Sequence, residues 1–253
     1  MKLAGWMLLA GLMLAGCGKA PVVAPVAVLR GSDPALVAKA ATGQGNPVLL
    51  VHGIHGSSQN FAVMEPWLRQ NGFDPVALDF VDVAWRDWTL DDLADQVALH
   101  VMALRARTGK DQIDVVAHSL GGIATRQYIK FHGGDKYIKH LVCLGSPHHG
   151  VGYAALGPGI DIATLFRPHS QQLNDLNRPA EIFGQVAYTN VWSTSDYMEA
   201  LPFASGRQIG AFNFRINGTT HSGMTTDPRI FPVIKESLLR PLAEAPGAER
   251  HIE

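Results

Sequence analysis

The chain has 253 residues, of which 47% are hydrophobic and 17% are charged, and this composition excludes an intrinsically disordered chain. Its 21 Lys and Arg residues nearly balance its 22 Asp and Glu residues, so it lacks the basic surplus of a nucleic-acid-binding protein, and we expect no nucleic-acid partner. The length suits one large α/β domain.

The amino-terminal segment has the layout of an export signal. Lys2 precedes an apolar run, residues 3–15, which is too short to span a bilayer comfortably and ends in small residues. Residues 14–17, Leu-Ala-Gly-Cys, resemble a bacterial lipobox, and the resemblance implies cleavage before Cys17 and lipidation of that cysteine. We therefore predict a lipoprotein signal peptide over residues 1–16 and a membrane anchor at Cys17. An ordinary signal peptide with an incidental cysteine is the alternative.

Residues 17–46 are predicted to form a tether between the membrane and the folded body, because they are rich in Pro, Val, Ala and Gly. Gly18 stands where lipoproteins of two-membrane bacteria usually carry Asp when they stay in the inner membrane. By that resemblance, we expect the exported protein in the outer membrane if the cell has two. The folded body is predicted over residues 47–253.

Strands and helices alternate along this body. Short apolar runs between turn residues predict strands, and apolar residues at three- and four-residue spacing predict helices. The strands are predicted at 48–51, 76–78, 113–117, 138–144, 185–191 and 208–216. The helices are predicted at 61–70, between the N-cap Thr89 and Gly109, at 121–131 and at 228–239. This order predicts an α/β fold with a mostly parallel sheet of about six strands and helices on both faces.

Ser119 lies in a segment that reads as a strand, a sharp turn and the start of a helix. The pattern is a variant of G-x-S-x-G in which Ala117 takes the place of the first glycine. A nucleophile in such a turn has a strained backbone and needs small neighbours, which Ala117 and Gly121 provide. We predict that Ser119 is the nucleophile of a hydrolase; a serine that merely caps the helix is the alternative interpretation.

A glycine-rich turn, residues 52–56 (His-Gly-Ile-His-Gly), directly follows the first predicted strand. Such a turn leaves backbone N–H groups free to stabilise a developing oxyanion, together with the N–H of the residue after the nucleophile. We therefore predict an oxyanion hole formed by the backbone N–H groups of Ile54 and Leu120. His52 and His55 are interpreted as polar contacts of the loop.

The acid and the base should follow the nucleophile in that order. His221 lies in the loop after the sixth predicted strand, and Asp196 follows the fifth. Glu199 is the nearby substitute for the acid, whereas Asp227 comes after the histidine and is in the wrong order. The predicted catalytic residues are Ser119, Asp196 and His221.

Several blocks of this sequence resemble bacterial lipases of the α/β-hydrolase fold, especially the small secreted Bacillus-type lipases. The blocks are residues 51–61, 117–121, 144–150, 193–196 and 220–224, within a resemblance that spans residues 47–240. The resemblance implies hydrolysis of carboxylic esters, with lipid esters as substrates and with no metal or other cofactor. A short-chain carboxylesterase, a thioesterase and a polyester depolymerase share the same residues, and a lipid- or partner-binding lipoprotein is the non-enzymatic alternative.

Residues 150–179 form a stretch longer than in the smallest members of that family. Its apolar residues could line an acyl groove, form a lid or simply pack in the core; they are Leu156, Ile160, Ile162, Leu165 and Phe166. For His148 and His149 a structural role is favoured over a metal site, because no Cys or carboxylate accompanies them at ligand spacing. Core packing is expected for Cys143, and packing is favoured for Trp85 and Trp88.

Overall fold

The computed structural model describes residues 47–80, 88–151, 165–198 and 206–253. The predicted signal peptide (1–16), Cys17 and the tether (17–46) therefore lie outside the described residues. The same holds for Trp85, for Glu199 and for three apolar residues of the long stretch, namely Leu156, Ile160 and Ile162.

Seven strands form one sheet in the described part of the chain. They are β1 (Pro47–Val51), β2 (Asp74–Ala77), β3 (Ile113–His118), β4 (Ile138–Leu144), β5 (Ala187–Ser193), β6 (Phe212–Ile216) and β7 (Arg250–Ile252). Their order across the sheet is β2-β1-β3-β4-β5-β6-β7, and all neighbouring pairs are parallel. The first six are the predicted strands. The seventh was not predicted, because only one of its three residues, Ile252, is buried.

Five helices accompany the sheet in the described residues: α1 (Met64–Gln70), α2 (Leu90–Thr108), α3 (Leu120–Phe131), α4 (Gln171–Asn177) and α5 (Phe231–Leu239). Helix α2 begins as predicted, because the Thr89 Oγ1 accepts a hydrogen bond of 3.2 Å from the Asp92 N–H. It ends at Gly109, whose φ of 67° is left-handed. Helix α1 begins later than predicted, because residues 58–61 form a separate 3₁₀ turn.

Helices cover both faces of the sheet, as predicted. Apolar residues of α2 and α3 pack on one face, and those of α1 and α5 pack on the other. Strand β3 shows the alternation, since Val115 and Ala117 contact the first group while Val116 contacts the second. All three side chains are fully buried, which explains why the strand reads as a continuous apolar run. Within the described residues, no helix is both long enough and apolar enough to cross a membrane.

Three of the predicted side chains meet at one edge of the sheet because the strands are parallel. The loops after β3, β5 and β6 leave the sheet at its carboxyl edge, and they carry Ser119, Asp196 and His221 respectively. Sites of open α/β sheets form at this edge.

Candidate active site

Ser119 occupies a strained turn between β3 and α3. Its backbone has φ 54° and ψ −125°, which a residue other than glycine rarely adopts. Two backbone hydrogen bonds hold the turn: the Ser119 N–H donates to the Leu144 carbonyl over 3.0 Å, and the Ser119 carbonyl accepts from the Gly122 N–H over 3.0 Å. The conformation is the one expected for a nucleophile elbow.

The glycines around this turn are required by close packing. A β-carbon on Gly121 would lie 2.6 Å from the carbonyl oxygens of both Val51 and His52. A β-carbon on Gly53 would lie 2.7 Å from the β-carbon of Ser119. The loop after β1 therefore lies directly against the serine, and side chains at these glycines would push the two apart.

The three predicted catalytic residues form a continuous chain of hydrogen bonds. The Nε2 of His221 lies 2.9 Å from the Oγ of Ser119, and its Nδ1 lies 2.7 Å from the Oδ2 of Asp196. Because a carboxylate only accepts, the Nδ1 of the ring carries the proton, and in the neutral ring Nε2 accepts from the serine hydroxyl. The second oxygen of Asp196 accepts from the Met198 N–H over 2.8 Å. Asp196 is fully buried, as the acid of such a triad should be.

Asp227, the acid in the wrong order, does not reach His221. Its Oδ2 accepts from Arg229 over 2.7 Å and from the Thr219 hydroxyl over 2.5 Å. The hydrogen bond from Arg229 is the main cause that lowers the pKa of this carboxyl to about 2. Asp227 therefore braces the loop that carries His221. The structure places Asp196 in position for the acid's role, and the catalytic role itself stays a prediction.

The predicted oxyanion loop contains a turn in which the Gly56 N–H donates to the Gly53 carbonyl over 3.1 Å. Leu120 is the first residue of α3, so its N–H has no acceptor within the helix. Neither this N–H nor that of Ile54 forms a hydrogen bond with the residues that the structure describes. Both groups are thus available to an oxyanion, and their role stays a prediction.

His52 is a buried polar contact of this loop, as the sequence indicated. Its Nδ1 lies 2.8 Å from the Gly53 carbonyl, and its Nε2 accepts from the Phe80 N–H over 3.3 Å. Burial lowers the pKa of its imidazole, which favours this neutral form. His55 is exposed, with φ 53°.

His118 and Gly145, for which no role was predicted from the sequence, both contact the candidate triad. The Nε2 of His118 lies 2.9 Å from the His221 carbonyl, and the two imidazole rings are 4.7 Å apart. Gly145 has φ 58°, and a β-carbon on it would lie 3.0 Å from the Oδ2 of Asp196. The available signals were a polar residue that ends an apolar strand, and a glycine directly after the next strand.

His148 and His149 both have protein partners. Arg126 lies 3.1 Å from the Nδ1 of His148, whose Nε2 lies 3.2 Å from the Oδ1 of Asn190. Burial is the main cause that holds the pKa of His148 well below its usual range. His149 lies 2.9 Å from a carboxylate oxygen of Glu181. Across the described ranges, no cluster of His, Cys, Asp or Glu has the arrangement of a metal site.

Two apolar residues of the long stretch, Leu165 and Phe166, are buried in the core on the α2–α3 face. For these two residues, the buried contacts favour the packing interpretation over an acyl groove or a lid. Cys143 is also buried in that core as expected, and Trp88 packs against its edge. A cavity of about 1030 Å³ lies elsewhere; its lining includes Leu173, Arg178, Ile182, Arg207 and Gln208. Because no triad residue lines it, we do not assign it as the substrate site.

Comparison with known proteins supports the architecture. A family model described as the alpha/beta hydrolase fold matches residues 46–168. The mature form of lipase BlEst2 from Bacillus licheniformis is 18% identical, with a TM-score of 0.60 over 83% of this chain and 95% of that one. The chain covers 54% of the propeptide form of the same lipase, so it spans about half of that longer protein.

Two further solved structures are similar. Lipase B from Aspergillus fumigatus is 19% identical, with a TM-score of 0.68 over 92% of this chain and 63% of that one. A thermophilic esterase from Thermogutta terrifontis is 17% identical, with a TM-score of 0.53 over 77% of this chain and 90% of that one. Identities this low establish a common fold and leave the activity to be argued from the site.

Proposed function

We propose that this chain, whose fold is that of the α/β hydrolases, is a serine hydrolase that cleaves carboxylic esters, and that lipid esters are its substrates. The observation that carries the proposal is the chain of hydrogen bonds from the Ser119 hydroxyl through His221 to the buried Asp196. The strained backbone of Ser119 and the adjacent loop around Gly53 give this triad the setting that acyl transfer needs.

The geometry accounts for both halves of the reaction. As the Oγ of Ser119 attacks the ester carbonyl, the Nε2 of His221 takes the hydroxyl proton and then gives it to the departing alcohol. A water molecule then loses a proton to His221, attacks the acyl-enzyme and releases the carboxylic acid, and Ser119 regains its proton. Asp196 keeps His221 in the correct tautomer and stabilises its charged form.

The negative charge of the tetrahedral intermediate requires its own stabilisation. The N–H groups of Ile54 and Leu120, which have no acceptor among the described residues, would donate to this oxyanion. Leu120 is the first residue of a twelve-residue helix, and the positive amino-terminal end of this helix would also stabilise the negative charge. Each such donor contributes on the order of 10²–10³ in turnover in serine hydrolases.

A lipase is favoured over the other esterases by the sequence blocks that resemble lipases and by the fold shared with two proteins described as lipases. Initial rates on p-nitrophenyl esters from acetate to palmitate test this choice, with the full-length protein in detergent and Ser119→Ala as the blank. A maximum at medium or long chains is the expected result. Activity on short chains alone would indicate a general esterase.

Covalent labelling of the nucleophile, measured beside these rates, separates an enzyme from a binding protein. A fluorophosphonate probe should label the wild type at Ser119 and leave the Ser119→Ala variant unlabelled. Absence of both labelling and turnover would favour the lipid- or partner-binding lipoprotein. Labelling without ester turnover would favour a thioesterase or polyester depolymerase, which assays on acyl thioesters and polyester films would then distinguish.

The amino-terminal prediction is part of the proposal. A lipid anchor at Cys17 would hold the hydrolase at a membrane surface, where lipid esters are concentrated. Radiolabelled palmitate should be incorporated into the wild type, and membrane fractions should contain the protein. The Cys17→Ser variant should lose both the label and the membrane association, whereas a labelled variant would place the modification elsewhere.

A further inference from the structure

His118 is the last residue of β3 and directly precedes Ser119. Because side chains alternate along a strand, His118 lies on the same face as Val116, which is the face that α1 and α5 cover. The 3₁₀ turn that follows His221 contributes the buried Met224 to this same face. His118 therefore bridges the strand of the proposed nucleophile and the loop of the proposed base.

The hydrogen bond between them has a defined direction. The His221 carbonyl can only accept, so the Nε2 of His118 donates to it over 2.9 Å. The same carbonyl accepts from the Met224 N–H at 3.4 Å, which is too long for a strong hydrogen bond. Without His118, the carbonyl of the proposed base would keep only this weaker partner among the residues that the structure describes.

The two imidazole rings are also in contact. Their centroids are 4.7 Å apart with an angle of 43° between the planes. The backbone of Gly145 lies on the acid side of the ring, where a β-carbon would be 3.4 Å from the Nδ1 of His221. Asp196 fixes one nitrogen of the base, and His118 restricts both its ring and its backbone.

His118 carries no charge while it does this. Burial, followed by the nearby imidazole of His221, lowers the pKa of His118 to about 3. The other histidine that acts on it, His52, also lowers this pKa. A cation at this distance would disfavour the imidazolium that His221 must form during the reaction, and a neutral ring avoids that penalty.

We infer that His118 is a positioning residue for the proposed ester hydrolysis, which holds the backbone and ring of His221 where its Nε2 reaches the hydroxyl of Ser119. This inference rests on the proposed function. It adds a fourth side chain to the triad, one that acts through His221 and does not touch the reacting atoms.

Two substitutions separate the effect of the hydrogen-bond donor of His118 from the effect of its aromatic ring. In His118→Gln, the amide nitrogen reaches the place of Nε2 and keeps the donor; His118→Phe keeps a ring and loses the donor. We expect His118→Phe to lower kcat about 10- to 100-fold with little change in KM, since small misplacements of a catalytic group have effects of this size. His118→Gln should stay within about threefold of the wild type.

A matched control distinguishes positioning from a general loss of stability. His140 is an equally buried histidine at the opposite end of the sheet, where its nitrogens bond to Asp114 over 2.7 Å and to the Arg240 carbonyl over 2.8 Å. His140→Phe should destabilise the fold, but rates per fluorophosphonate-titrated site should not change. The pH profile of kcat/KM should shift on its acid limb for His118→Phe and not for His140→Phe.

These measurements distinguish a failure of the His118 inference from a failure of the proposed function. An active wild type, together with a His118→Phe variant of unchanged kcat and pH profile, would overturn the inference and leave the function standing. Equal losses in His118→Phe, His118→Gln and His140→Phe would assign His118 a structural role only. If the wild type is labelled but cleaves no ester, the labelling rates of the variants still test positioning; an unlabelled wild type would overturn both proposals.

Discussion

The α-carbon of Gly145 lies so close to the carboxylate of Asp196 that a β-carbon there would be 3.0 Å from Oδ2. The same β-carbon would be 3.4 Å from the Nδ1 of His221, so any side chain would crowd the hydrogen bond between Asp196 and His221. This glycine also has φ 58°, a left-handed conformation that residues with a β-carbon rarely adopt. The effect of steric crowding at Gly145 and the effect of its left-handed backbone can be separated by experiment.

Gly145→Ala should lower kcat at least tenfold, because the carboxylate of Asp196 must shift by a few tenths of an ångström to admit the methyl group, which displaces it relative to His221. The control is Gly133→Ala, since Gly133 has φ 75° and, apart from its chain neighbours, no atom of the described residues lies within 4 Å of its added β-carbon. Both variants should lose about 1–2 kcal/mol of unfolding free energy from the left-handed backbone. Denaturant titration and steady-state kinetics measure the two effects, and equal kcat values in both variants would contradict the crowding argument.

Ser119 should show a conflict between activity and stability. Ser119→Ala and Ser119→Gly should both remove nearly all turnover, with unchanged circular dichroism. A glycine tolerates φ 54° and ψ −125°, so Ser119→Gly should have an unfolding free energy about 1 kcal/mol higher than Ser119→Ala. Substantial turnover in either variant would exclude Ser119 as the nucleophile.

Asp196→Asn should lower kcat by about 10⁴-fold, because an amide in this place no longer selects the tautomer that presents Nε2 to the serine. Asp227→Asn is the matched control. Asp227 bonds to Arg229 and Thr219 but not to His221, so its loss should lower kcat less than tenfold. The reverse ranking would make Asp227 the acid.

The pH dependence of stability tests the neutral state of His118. The unfolded histidine has a pKa of about 6.5, whereas the folded pKa is about 3. Between these values only the unfolded chain binds the proton at this position, so acid favours unfolding. As pH falls from 6.5 to 3, the wild type should lose about 1.4 kcal/mol of unfolding free energy per pH unit relative to His118→Gln. Denaturant titrations at pH 7, 6, 5 and 4 measure this difference, and a constant difference would contradict a buried neutral imidazole.

Local signals account for what the sequence predicts correctly. The six predicted strands are apolar because both faces of the sheet are covered, and that burial shows in every short run such as residues 113–117. Ser119, Asp196 and His221 could be placed because each follows one of these strands, and parallel strands bring their carboxyl ends together. Sequence order alone then favours Asp196 over Asp227 as the acid, and that choice stays a prediction.

The missed residues depend on contacts between distant parts of the chain. His118 and His221 are 103 positions apart, and their bond exists only because the loop after β6 folds back over the end of β3. Gly145 meets Asp196 because β4 pairs with β5 in the register that sets Leu144 opposite Val191. Neither the register nor the path of a loop can be read from the composition of a segment.

Tyr197 follows the proposed acid and is 60% exposed, with its ring 6.0 Å from that of His221. In the proposed mechanism, His221 delivers its proton to the departing alcohol. A ring beside His221 would then lie on the alcohol side of the site, and the loop at Gly53 would lie on the proposed oxyanion side of Ser119. An exposed aromatic ring here offers a surface to an apolar or aromatic alcohol group. Tyr197 should therefore affect the choice of alcohol rather than that of acyl chain.

Tyr197→Ala should raise the KM for naphthyl octanoate about 2- to 10-fold, which corresponds to an aromatic contact of about 0.5–1.5 kcal/mol. The methyl ester of the same octanoic acid should show little change, because its alcohol cannot reach the ring. Tyr197→Phe keeps the ring and should behave as the wild type with both esters. Kinetics on this pair of esters measure the difference; an equal effect on both, or an effect that follows acyl length, would place Tyr197 on the acyl side.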